Sequence, residues 1–133
     1  VGKTADGTAT WMTGPKTIQD HVVPVINDAA EKENRPQPQV VAAIPVCIHP
    51  DKEVATEYAK RDFGFYGDLP SYRAMLDREG LENSWDIAIT GSFEQVAEGM
   101  QEYVDAGATQ VVAAVYGPEE SREETVSQLA ELL

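Results

Sequence analysis

Four short apolar or β-branched runs, each followed by a helix-start signal and an amphipathic stretch, predict an α/β fold. The βα units stand in series, and that alternation implies a parallel sheet with right-handed crossovers. Two of the runs, Val40–Ile48 and Val111–Val115, are apolar without a break. Strands of parallel sheets read this way because both of their faces are covered. With 133 residues, 42% of them hydrophobic and 25% charged, the chain has ordinary globular composition. It reads as one domain, 1–133, with no composition shift, repeat array or low-complexity segment.

The elements follow in order. Gly7–Met12 (GTATWM) is β-branched and aromatic, which predicts a strand. Gly14-Pro15 then opens a helix, because proline is favoured in a first turn whose N–H groups lack partners. Ile18, Val22, Val25, Ile26, Ala29 and Ala30 mark its apolar face. Pro24 interrupts this face and predicts a kink, since it removes a backbone hydrogen bond. Asn34, Pro36 and Pro38 end the helix. Val40–Ile48 is the second strand, and Pro45 inside it predicts an irregularity, since proline cannot donate to a ladder. Asp51 is placed to cap a helix over Glu53–Arg61. Phe63–Pro70 reads as an aromatic loop, and Ser71–Glu79 as a short helix closed by a left-handed Gly80.

Asp86–Thr90 (DIAIT) predicts a third short strand. Ser92 with Gln95 three residues later forms a capping box for a helix bearing Val96, Met100, Tyr103 and Val104. Ala106-Gly107 closes it. Val111–Val115 is the fourth strand, broken by Gly117-Pro118. Ser121-x-x-Glu124 is the expected cap of a last helix carrying Val126, Leu129, Leu132 and Leu133.

Ten Lys and Arg against 23 Asp and Glu give a formal net charge of −13. Such a surface repels phosphate backbones and anionic headgroups, so neither nucleic acid nor membrane is an expected partner. No apolar run has membrane-helix length and no signal peptide opens the chain, so the expected location is the cytoplasm. A single cysteine, Cys47, and two histidines, His21 and His49, leave no disulfide framework and no thiolate or histidine metal cluster.

Patterns of the GxGxxG, GxxxxGK[ST], HExxH, CxxC and GxSxG kinds are absent. The informative segment is the turn Thr13-Gly14-Pro15-Lys16-Thr17, between a strand end and a helix start. Free N–H groups there attract anions, and Thr13, Lys16 and Thr17 can add donors. Phosphate binding is therefore a candidate role, against an ordinary βα turn. Gly91-Ser92 is a similar turn whose serine is explained by capping. His49 follows the second strand at its C-terminal end, where chemistry gathers in α/β proteins, and is a candidate substrate contact. Cys47 reads as a buried thiol without chemistry, and His21 as a structural helix residue.

The opening Ala5-Asp6-Gly7…Trp11…Gly14-Pro15-Lys16-Thr17 resembles the "ADG…W…G-P-x-T" segment of luciferase-like monooxygenases, most of all the branch that uses the deazaflavin coenzyme F-420. Thr90-Gly91-Ser92-Phe93-Glu94-Gln95-Val96, followed by Asp105-Ala106-Gly107, is similar to the family's "G-[ST]-P-E-x-V…D-A-G" pattern, with Phe93 in place of the usual proline. Family members are (β/α)8 TIM barrels of ~250 residues or more. The resemblance thus implies that these four βα units are the C-terminal half of such a barrel, strands five to eight. A start without Met is what a fragment or processed product would show.

In the family, the loop after the fifth strand helps to hold the coenzyme, a role that carries onto Thr13, Gly14 and Thr17. The implied reaction of the whole barrel is hydride transfer between the reduced deazaflavin and an organic substrate. Flavin mononucleotide (FMN) is the alternative coenzyme, and no catalytic residue is assigned in this half. A catalytically inactive half-barrel that self-associates is the alternative to an enzyme. A half-barrel leaves its inner face and two strand edges open, which predicts either a homodimer or pairing with the missing N-terminal half.

Overall fold

In a computed structural model, which describes residues 1–132, all four strands form one parallel sheet. They are β1 (Gly7–Trp11), β2 (Gln39–Ile48), β3 (Ile89–Gly91) and β4 (Gln110–Val115). The helices are α1 (Pro15–Thr17), α2 (Val23–Glu31), α3 (Lys52–Phe63), α4 (Pro70–Glu79), α5 (Phe93–Asp105) and α6 (Glu119–Leu129). The predicted last helix falls on α6, and Leu133 lies outside the described residues.

β2 is the hub, because it pairs with every other strand. Its even-numbered residues bond to β4: Thr109 and Tyr116 donate to the carbonyls of Val40 and Val46. Its odd-numbered residues bond the opposite edge, where Met12 donates to the Ala43 carbonyl and His49 donates to Gly91. β1 covers that edge over Gln39–Ala43, and β3 covers it over Val46–Ile48. Pro45 is odd-numbered, so its missing N–H faces the gap between those two partners. The sheet accommodates the proline where no ladder bond was available to lose.

The two faces of the sheet differ. Val40, Ala42, Ile44, Val46 and Ile48 point to the helical layer, where they meet Ile18, Ile26, Tyr103 and Val96. Each of the valine and isoleucine side chains withdrawn from water contributes ~1.5–3 kcal/mol. By register, Ala9, Trp11, Val41, Ala43, Val112 and Ala114 share the opposite face. Among the described residues no helix layer covers the middle of that face, and Val112 is 46% exposed. Its C-terminal end is covered: Cys47 packs with Ala55, Ala59 and Tyr116, beneath Phe63 and Trp85. Val40–Ile48 therefore meets solvent less than an open half-barrel would require.

Several boundaries depart from the sequence reading. Met12 is not in β1; it takes φ +50° and turns its side chain into a cluster with Met75, Leu76 and Ile87. The expected kink at Pro24 is a π-helical segment, Ile18–Val22, joining α1 to α2 in one helical run. Val23 donates to Ile18, five residues back, so the widened turn absorbs the missing bond. Val25, expected on the buried face, is 59% exposed. Phe63–Pro70 is no open loop, since Gly64–Asp68 forms a 3-10 turn. Asp86 and Ile87 also belong to a 3-10 turn, Ser84–Ile87, because Asn83 and Asp86 cap each other's backbone there. α6 starts at Glu119 with Pro118 as its cap residue, so Ser121 lies inside the helix.

Candidate functional site

The turn after β1 builds the site. Thr13 donates from Oγ1 to the Trp11 carbonyl at 3.4 Å, and Gly14 takes an extended φ/ψ of −73°/162° as the N-cap of α1. Pro15 has no N–H, which leaves those of Lys16 and Thr17 at the head of the helix. Thr17 is only 4% exposed, and its hydroxyl has no hydrogen-bond partner among the described residues. Its N–H donates at 2.5 Å to Glu79 Oε1, from the last residue of α4. A Cβ at Gly14 would overlap the same carboxylate. The helix head thus holds an oxyanion, and the protein supplies it from within. Tyr103 is the buried phenol that feels this carboxylate; burial, helped by the Glu79 charge, keeps it protonated at all ordinary pH.

His49 stands apart from this turn. It lies at the same end of the sheet as Thr13, because β1 and β2 are parallel. It is six residues beyond Ala43, the partner of Trp11, or about 20 Å further along the strand direction. Asp51 N–H lies 2.9 Å from its Nδ1. The ring lines a cavity of about 380 Å³ with Lys52, Ser92, Phe93 and Gln128. Thr13, Gly14 and Thr17 are together at one turn, and His49 belongs to another.

Two further groups mark the C-terminal end of the inner face. Thr90 Oγ1 and the Tyr116 hydroxyl are 2.7 Å apart. Burial pushes the Tyr116 phenol up to about 12. Burial also pushes the Cys47 thiol up, which keeps it protonated and poorly nucleophilic. An edge-to-face chain of rings joins Tyr116 to Phe63, Phe63 to Trp11 and Trp11 to Tyr66. Among the described residues no group of three or more His, Cys, Asp or Glu could hold a metal ion. No helix there is long and apolar enough to cross a membrane.

Glu79 and Tyr116 are the residues of this region that the sequence reading missed. Glu79 is 62 positions from Thr17, and its own segment reads only as a helix end.

An open, parallel α/β sheet built from four βα units is the architecture of half a TIM barrel. The profile of the luciferase-like monooxygenase family matches residues 1–110. The chain belongs to that family. Solved structures agree on the fold. An F-420-dependent secondary alcohol dehydrogenase in complex with an F-420–acetone adduct superposes with a TM-score of 0.77 at 16% identity, over 99% of this chain and 43% of that one. The coenzyme F-420-dependent tetrahydromethanopterin reductase from Methanopyrus kandleri gives 0.76 at 21% identity, over 98% and 45%. The EDTA monooxygenase from Chelativorans sp. BNC1 gives 0.68 at 16%, over 98% and 40%. The chain therefore spans less than half the length of these relatives. No curated protein sequence matches it.

Proposed function

We propose that this chain is the coenzyme-anchoring half of an oxidoreductase barrel, with coenzyme F-420 as the coenzyme and FMN as the alternative. The observation that carries this reading is the helix head at Thr13–Thr17. A buried hydroxyl without a partner and an N–H that already grips an oxyanion are what a phosphate group needs. Thr17 would donate from both its N–H and Oγ1, Lys16 N–H would add a donor, and Gly14 would let the group approach the backbone. Thr13 shapes the turn through its bond to Trp11. Either coenzyme, when bound, supplies the redox chemistry, for F-420 as a hydride donor or acceptor; the chain orients it and excludes water. His49, at the same sheet edge but outside this turn, is the proposed substrate contact.

The F-420-dependent structures favour the deazaflavin, and the family's monooxygenase members keep FMN as the alternative. The uncovered inner face and the free edge of β4 fit a partner that continues the barrel: an N-terminal half-barrel or a second copy of this chain. The reading is tested by titrating the chain with F-420 and with FMN and following amide chemical shifts. Saturable shifts at Gly14, Lys16 and Thr17, lost in Thr17→Val, are expected. Coenzyme that shifts none of these amides overturns the assignment.

A further inference from the structure

We infer that Glu79 is a built-in competitor for the anion site, a carboxylate that occupies the head of α1 until a phosphate group displaces it. The inference rests on the reading of Thr13–Thr17 as that site, and four observations support it. The Glu79 carboxylate accepts the Thr17 N–H at 2.5 Å, so it already uses a donor that a phosphate would use. Glu79 is the last residue of α4, where the helix macrodipole disfavours a carboxylate. Its stabilisation comes from the start of the other helix, not from its own. Gly14 is the only residue type that leaves it room, since a Cβ would overlap it.

The fourth observation is the most telling. Glu79 satisfies the Thr17 N–H but leaves Thr17 Oγ1 buried without a partner. A buried hydroxyl in that condition is costly. A phosphate, with more oxygens than a carboxylate, can accept from both the N–H and the hydroxyl. The carboxylate is thus an incomplete substitute. Two anions at one helix head repel, so the phosphate enters only as Glu79 leaves. Glu79 is half-buried, so its side chain already borders water.

The test is titration of the 133-residue chain with inorganic phosphate at constant ionic strength, read by amide shifts, for wild type, Glu79→Gln and Glu79→Asp. Glu79→Gln should bind phosphate at least about tenfold more tightly than wild type. Glu79→Asp, which retracts the charge by one methylene, should fall between them. Adding Thr17→Val to Glu79→Gln should abolish the gain. The spectra report folding directly, and Glu79→Asp alone decides the matter if Glu79→Gln does not fold. Equal affinity of the variants and wild type at Gly14–Thr17 would overturn the competitor role while leaving the anion site intact. Absence of shifts at those amides in every protein would overturn the site itself.

Discussion

A phenol whose hydroxyl is buried against a threonine ties stability to alkaline pH. Tyr116 is 5% exposed, and its pKa stands at about 12 against an ordinary value of 10.0. Folding therefore favours the protonated phenol. The resulting stability is fully present below about pH 10 and is lost as pH rises towards 12. That difference corresponds to about 2–3 kcal/mol at most. Urea unfolding from neutral pH upward should show a steeper alkaline loss for wild type than for Tyr116→Phe. Parallel curves would remove Tyr116 from the account. Its neighbour Gly117 takes φ +111°, and a Cβ there would lie 2.8 Å from Cys47 Sγ. Gly117→Ala should cost about 1–3 kcal/mol in the same assay, through positive φ and overpacking together. At this scale the sequence was partly legible. Gly14 and Thr17 stood out because strand-to-helix turns have a local signature. Glu79 and Tyr116 did not, since their roles arise from contacts with Thr17 and Thr90 across distant segments.

Elements with strong local caps were the most legible. Asp51 accepts from the N–H groups of Glu53 and Val54 at the start of α3, and Ser92 and Gln95 cap each other at the start of α5. Gly80, at φ +73°, closes α4 as a left-handed residue. Elements set by competing interactions were not legible. Alternation in DIAIT suggested a strand from Asp86, but the reciprocal Asn83–Asp86 cap holds its first residues in a 3-10 turn. Ser121 has the spacing of a cap, yet Pro118 had already begun the helix. The two serines make a paired test. Ser92→Ala should lower the unfolding free energy by about 1 kcal/mol, the usual loss for an N-cap. Ser121→Ala should change it by no more than about 0.5 kcal/mol, because an interior helix position favours alanine. Denaturant midpoints of the two variants, compared at equal slope, check this, and equal losses would place the cap of α6 at Ser121 after all.

The whole molecule is shaped by one sheet covered unequally on its two faces. Helices α2, α5 and α6 close one face, while Ala9, Trp11, Val41, Ala43, Val112 and Ala114 lie on the other. β4 presents an unpaired edge beside a groove of about 650 Å³ floored by Val115 and Val126 and rimmed by Glu119, Arg122 and Glu123. The apolar inner face and the free edge both favour association, because burying each Val- or Trp-sized side chain gains ~1.5–3 kcal/mol. The net charge of −13 opposes it. Salt decides between them, since at ordinary ionic strength charges are screened beyond ~8–10 Å while buried apolar contacts are not. The isolated chain should therefore sediment as a dimer at micromolar concentration in physiological salt, and should dissociate as salt is lowered. Val112→Asp puts a charge on the inner face and should yield monomer under all salt conditions. Val126→Asp, on the helical side, should leave the inner-face contact standing. A wild-type chain that is monomeric and unfolds cooperatively at high salt would show that Phe63, Trp85 and Tyr116 already close enough of the inner face for the half-barrel to stand alone.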